Sequence, residues 1–159
     1  MTKTSLAKWL KGILAVCAVC GLPIYFHYIP VVGKELAQGF PEFAYCFWPW
    51  MIFIWLTGIP CYGVMALAWK IAGTIQKDEA FTFQNGRRFR WIGRLMVGDA
   101  VFLVCGAVLY WLLGMAHPSM VILSVGLGCA GGTLAIVAQA LALLTDKAAA
   151  LQEQSDWTI

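Results

Sequence analysis

The sequence predicts an all-α fold, an integral membrane bundle of four transmembrane helices with both termini in the cytoplasm. Of the 159 residues, 61% are hydrophobic and 12% are charged, whereas soluble domains average about 25% charged residues. The apolar residues fall into four long stretches, each of which reaches the roughly 20 residues that a helix needs to cross a bilayer. The Lys and Arg residues lie outside these stretches, which run Gly12–Gly33, Phe43–Trp69, Leu95–Met115 and Pro118–Thr145. The composition therefore excludes a water-soluble exterior.

The four predicted spans cover about residues 10–32, 46–70, 91–115 and 119–145 of a single domain, 1–159. A cytoplasmic loop, 71–90, joins the second span to the third, and a cytoplasmic tail, 146–159, follows the fourth. Pro23 lies in the first span and Pro60 in the second. Because proline interrupts the helical hydrogen-bond ladder, each predicts either a static kink or a hinge.

The charge distribution predicts the orientation. The N-terminal segment carries three lysines and no acid, and the segment around the middle loop carries six basic residues against two acids. Cytoplasmic segments of membrane proteins are enriched in Lys and Arg. The N-terminus, the middle loop and the C-terminus are therefore predicted to face the cytoplasm, as in a multi-pass protein of a bacterial inner membrane.

The middle loop has its own predicted structure. Thr82 is a suitable N-cap for a helix that continues through Arg94 into the third span, although Gly86 weakens that helix locally. Aromatic and basic side chains here suit the headgroup region of the lipid bilayer, and a protein-docking role is the alternative. The candidate lipid or partner contacts are Phe81, Phe83, Asn85, Arg87, Arg88, Arg90 and Arg94, with Asp156 and Ile159 in the tail.

Two segments resemble the DUF2975 family of small four-span bacterial membrane proteins. The first reads Glu79-Ala-Phe-Thr-Phe-Gln-Asn-Gly-Arg-Arg-Phe-Arg-Trp-Ile-Gly and resembles the family pattern pFs-x-eN-x-x-rLr-x-iG. The second is the chain end, similar to x-x-L-x-x-E-N-D-L-T-I. Here Gln154 and Ser155 stand where an acid and Asn are more usual, and Trp157 stands where Leu is more usual.

The resemblance implies no catalytic residue, since the family is one of unknown function. Relatives are often encoded beside a small helix-turn-helix regulator, which implies a regulatory partner in the cytoplasm. The first functional hypothesis is therefore a non-enzymatic membrane sensor or regulatory component that acts through the basic loop and the C-terminal tail.

Asp99 supports a second hypothesis. It is a charged residue within an apolar stretch, roughly 12 Å along the helix from Trp91. An ionised carboxylate at that depth costs at least a few kcal/mol unless it is neutral, paired or in contact with water. One interpretation is a small proton-coupled transporter. The other is a structural bond to Arg94, to Gln139 or to a hydroxyl of the fourth span.

The fourth span carries small residues at four-residue spacing: Ser124, Gly128 and Gly132. Such a face allows a second helix backbone to approach closely. The neighbour is either another helix of the same chain or a second copy in a homodimer, and the sequence leaves both open.

A third hypothesis is a membrane thiol-redox or haem protein. Cys17 and Cys20 form a C-x-x-C pattern, and His27 and His117 are the two histidines. The cysteines lie in an apolar stretch, where Cys behaves as a small hydrophobic residue. No phosphate-binding loop, zinc-protease motif or nucleophile elbow is present in the sequence. We therefore predict no cofactor, no metal site and no direct contact with nucleic acid.

Overall fold

The computed structural model describes residues 3–77 and 79–156, apart from the side chains of Lys3 and Asp156. Within these ranges the fold is all-α, as predicted, and no strand is present. The α-helices are α1 (Lys3–Pro23), α2 (Ile29–Gly39), α3 (Phe47–Gln76), α4 (Phe83–Leu112) and α5 (Pro118–Asp156). A π-helical segment, Ile24–Tyr28, joins α1 to α2, and a 3₁₀-helix, Pro41–Cys46, leads into α3.

Four continuous helical segments of the described chain are long and apolar enough to cross a membrane. They are Thr4–Gly39, Pro41–Gln76, Phe83–Leu112 and Pro118–Ser155. The predicted four-span architecture is therefore confirmed. Every segment is longer than the roughly 20 residues that the hydrocarbon core requires, so the helices extend beyond it.

The helices pack mainly against their neighbours along the chain. Helix α3 contacts α1 and α4, α4 contacts α5, and the described parts of α1 and α5 do not approach each other closely. Side chains of α3, α4 and α5 nevertheless meet in a small core of Ile71, Ile92 and Ala138. Most of the outer face of α5 is exposed, including Ile122 at 74% and Ile136 at 72%. Lipid is the solvent that such a surface requires.

The core lies near one end of the molecule, where most of the basic residues are found. We call this the basic end. It consists of the start of α1, the end of α3, the start of α4 and the end of α5. The antiparallel α4 and α5 therefore bring the middle of the sequence and its C-terminal segment together.

The π-helical segment begins directly after Pro23, which lacks the N–H that an α-helix needs at that position. Two side chains of α3 donate hydrogen bonds to backbone carbonyls in this part of the chain. Trp55 Nε1 lies 3.0 Å from the carbonyl oxygen of Tyr25, and Tyr62 Oη lies 3.1 Å from that of Ala18. Pro23 is thus followed by a helix irregularity, and α3 donates hydrogen bonds to this part of the chain.

The helices near the basic end extend beyond the predicted spans. Helix α3 continues to Gln76 and α4 begins at Phe83, so the connection between the two helices is 77–82. The chain after residue 145 is helical as far as Asp156. The apolar pattern marks the hydrocarbon-spanning part of a helix, and it carries no signal for the polar turns beyond it.

Candidate functional site

The start of α4 is fixed by a side-chain cap. Thr82 has an extended backbone, with φ −129° and ψ 150°, and its hydroxyl accepts a hydrogen bond from the backbone N–H of Asn85 at 3.4 Å. This interaction satisfies one of the N–H groups that the first turn of a helix leaves unpaired. The N-cap predicted at Thr82 is confirmed.

Asn85 is the centre of the connection between α3 and α4. Its side chain is fully buried, and its Nδ2 group donates to Thr74 Oγ1 at 2.7 Å, to Ala80 O at 2.9 Å and to Glu79 O at 3.2 Å. Its Oδ1 accepts from Arg88 at 2.8 Å. An amide offers two donors and one acceptor oxygen, and here every group has a partner. The structure thus places Asn85 inside the protein, away from any lipid or partner surface.

Arg88 is half-buried and extends the same network. Its Nη1 donates to Asn85 Oδ1 at 2.8 Å and lies 3.5 Å from the carbonyl oxygen of Lys70, near the end of α3. A guanidinium held in this way orients the end of α3 against the start of α4. Arg88 therefore stabilises the fold of the basic end and also contributes to its positive charge.

Asp146 joins the end of α5 to the start of α4. Its Oδ2 forms an ion pair with Arg90, and its Oδ1 is buried without a hydrogen-bond partner in the described chain. The carboxylate lies directly over Gly86, where a Cβ atom would be 2.8 Å from Asp146 Cγ and still closer to Oδ1. Glycine at position 86 leaves the space that the Asp146 carboxylate occupies, so a larger residue would displace the carboxylate. The absence of a side chain at Gly86, which is expected to weaken the helix locally, is what allows this contact.

Gln139 makes a second contact between the same two helices. Its Nε2 donates to the carbonyl oxygen of Arg90 at 3.3 Å. Gln139 and Asp146 are separated by two helical turns and lie on the same face of α5. Arg90 therefore receives one contact from each, through its backbone and through its side chain.

The exposed side chains of the basic end form two groups. An aromatic–basic stripe runs along one face of α4 at helical spacing and consists of Phe83, Arg87, Trp91 and Arg94, all of which are exposed. The guanidinium carbon of Arg94 lies 5.4 Å from the centre of the Trp91 ring, within the range of a cation–π contact.

The second exposed group consists of two apolar side chains outside the stripe. Phe81 is 56% exposed and Leu151 of α5 is 66% exposed. Of the tail candidates, the Asp156 side chain and Ile159 lie outside the described residues.

Asp99 lies close to the middle of α4, facing α3. Its Oδ2 is 4.0 Å from Cys61 Sγ, and its Oδ1 is buried without a hydrogen-bond partner among the described residues. None of the structural bonds considered for Asp99, to Arg94, to Gln139 or to a hydroxyl of the fourth span, is formed in the described chain. Arg94 packs on Trp91 and Gln139 bonds to Arg90. A cavity of about 280 Å³ lies beside the carboxylate, between α3 and α4.

The three small residues at four-residue spacing in α5 differ in their surroundings. Ser124 is buried, and its hydroxyl donates to the carbonyl oxygen of Met120 at 2.7 Å. A Cβ atom at Gly128 would lie 2.8 Å from Val104 Cγ2, whereas at Gly132 it would meet nothing within 4 Å. Gly128 therefore allows the close approach of α4, whereas a Cβ atom could be added at Gly132 without a clash.

The cysteines and histidines are dispersed. Cys17 and Cys20 are free thiols exposed on α1. His27 lies in the π-helical segment, and His117 precedes α5 and bonds to Ser119 at 2.9 Å. No group of three His, Cys, Asp or Glu side chains suited to a metal ion occurs in residues 3–77 and 79–156.

These features define a polytopic membrane protein whose polar contacts are concentrated at one end. The chain belongs to the family described as "Protein of unknown function (DUF2975)", whose model matches residues 31–159. It is also similar to the uncharacterized membrane protein YoaS of Bacillus subtilis (strain 168), with 24% identity over 153 residues that cover 95% of this chain and 96% of the relative. No solved structure matches the chain.

The sequence reasoning missed Asp146, which lay in the predicted tail. A signal for it was present, because Gln139, Ala142 and Asp146 recur at helical spacing and mark one face of α5. Asn85 was predicted at the surface. Its position three residues after a capping Thr is one from which a side chain can bond back to the residues before the helix, and Asn85 does so with the carbonyl oxygens of Glu79 and Ala80.

Proposed function

We propose that this protein is a non-enzymatic sensor or regulatory component of the bacterial cytoplasmic membrane, which responds to the state of the lipid bilayer. In this proposal the response reaches a soluble partner through the middle loop and the C-terminal part of α5. The observation that carries it is the contact of Asp146 with Gly86 and Arg90, which joins these two segments into one unit.

The packing of α5 supports the input side of the proposal. Helix α5 is attached to the bundle chiefly along α4, and its outer face is exposed. A change in bilayer thickness or lateral pressure acts directly on such a helix. A shift of α5 along α4 moves Asp146, and Asp146 holds Arg90 at the start of α4. The middle loop, packed around Asn85, then changes position with it.

The surface of the basic end supports the output side. The aromatic–basic stripe is suited to phospholipid headgroups, which it would contact on one side of α4. Phe81 and Leu151 remain exposed outside the helix contacts. We propose that they contribute to the surface that a small helix-turn-helix regulator contacts, the partner implied by the family resemblance.

The test is capture of the tagged full chain from its own cells in mild detergent, followed by mass spectrometry. We expect a soluble regulator in stoichiometric amount with the wild-type chain, and loss of that regulator when residues 152–159 are deleted. Lys34→Gln is the control, because Lys34 lies at the opposite end of the bundle. A deletion that changes neither the bound proteins nor any phenotype contradicts the proposal.

A second candidate function is proton-coupled transport through Asp99. The observation that favours it is the carboxylate oxygen of Asp99 that is buried without a partner in the described chain. Proteoliposomes containing the wild-type protein should then carry protons together with a substrate, and Asp99→Asn should abolish this movement. Equal proton movement by both proteins excludes a role for Asp99.

A further inference from the structure

The middle of the α3–α4 contact contains a cavity with one carboxylate in an otherwise apolar wall. The cavity measures about 280 Å³ and is lined by Leu56, Ile59, Pro60, Gly98, Asp99 and Phe102. An enclosed apolar cavity of about 150 Å³ is enough to hold a benzene molecule, and the cavity here is larger and open on one side. The volume here therefore suits an alkyl segment or an aromatic ring rather than a single water molecule.

The cavity opens towards the exterior of the bundle. Ile59, at its edge, is 68% exposed, and Leu56 is 45% exposed. Both belong to the apolar central part of α3, where lipid is the surrounding medium. A ligand that reaches the cavity by this route must dissolve in the hydrocarbon region.

The polar side chain of the cavity is an acceptor. Asp99 Oδ1 is buried without a hydrogen-bond partner in the described chain, and Oδ2 has only the thiol of Cys61 at 4.0 Å. An ionised carboxylate in an apolar environment is stabilised by a donor, and a positively charged donor stabilises it best.

We propose that this cavity binds an apolar molecule that carries a protonated amine and enters from the lipid. The ammonium group pairs with Asp99, and the apolar part lies against Ile59 and Phe102. The proposal rests on Asp99, the carboxylate of the second candidate function, and names the substrate class of that transport. It does not depend on signalling through the loop and the tail.

The test is equilibrium binding of radiolabelled decylammonium to the full chain in phosphatidylcholine nanodiscs, with binding to empty nanodiscs subtracted. We expect one saturable site on the wild-type protein and at least a tenfold weaker affinity in Asp99→Asn. Asp99→Glu, which keeps the charge, should bind nearly as the wild type does. Glu42→Gln is the matched control, since it makes the same kind of change at an exposed position outside the cavity.

Two further measurements make the result decisive. Ile59→Trp fills the edge of the cavity from a lipid-facing position and should remove the saturable site while Asp99 is intact. Decanol, which has the same chain length without a charge, should show no saturable binding. The inference is overturned if Asp99→Asn binds decylammonium as the wild type does, if decanol binds equally well, or if the wild type has no saturable site. Saturable binding without proton movement in proteoliposomes retains this site and removes the transport function.

Discussion

The side-chain amide of Asn85 is fully buried and replaces its contacts with water by contacts with four residues of the protein. At the scale of single residues this is the most demanding position of the basic end, because a buried polar group left without partners costs about 1–3 kcal/mol. We expect Asn85→Ala to lower the free energy of unfolding by about that amount. Thermal unfolding in detergent measures the effect. Gln84→Ala, an exposed amide next to it, should leave the transition unchanged, and an equal loss in both variants would contradict the role of Asn85.

Gly86 provides a second prediction at the same scale. A methyl group at this position would occupy the space of the Asp146 carboxylate, so Gly86→Ala should displace Asp146 from Arg90. We expect a loss of about 1–3 kcal/mol, the usual effect of overpacking. The total loss of stability in the double variant, Gly86→Ala with Asp146→Ala, should be smaller than the sum of the two single losses. Gly126→Ala, where a Cβ atom would meet nothing within 4 Å, is the control. Additive effects would show that the two residues do not interact.

At the scale of helices, the number of spans could be predicted because a run of roughly twenty apolar residues is long enough to cross a bilayer as a helix and too apolar to remain in water. The contacts at the basic end could not. Asn85 and Asp146 are polar in the sequence, and polarity alone does not distinguish a residue that faces water from one that bonds within the protein. The distinction depends on which helices adjoin, and a single sequence carries no direct signal for the pairing of α4 with α5.

The small residues of α5 give a prediction for this pairing. Gly128 faces Val104 of α4, and Gly132 faces open space. Gly128→Leu should therefore destabilise the monomer, and Gly132→Leu should not. Thermal unfolding in detergent compares the two variants. If the second copy that the sequence leaves open packs against α5 at Gly132, light scattering should show that Gly132→Leu yields the monomer while the wild type remains a dimer.

At the scale of the whole molecule, the predicted orientation places all parts of the basic end in the cytoplasm. Single cysteines at Arg87 and Gln152, introduced into a chain in which the native cysteines are replaced by serine, should react with a membrane-impermeant maleimide only in inside-out vesicles. A cysteine at Lys34 should react only in right-side-out vesicles. Reaction of the Arg87 and Lys34 positions from the same side would contradict the four-span orientation.

The central claim is that the middle loop and the end of α5 present one surface to one soluble partner. Its most direct test is photo-crosslinking in living cells with p-benzoyl-phenylalanine at Phe81 and, separately, at Leu151. Both positions are exposed at the basic end, whereas Ile136, the control position, is exposed on the apolar part of α5. The account predicts the same soluble protein cross-linked from Phe81 and from Leu151, and none from Ile136. Different proteins at the two positions, or no soluble protein at either, would contradict it.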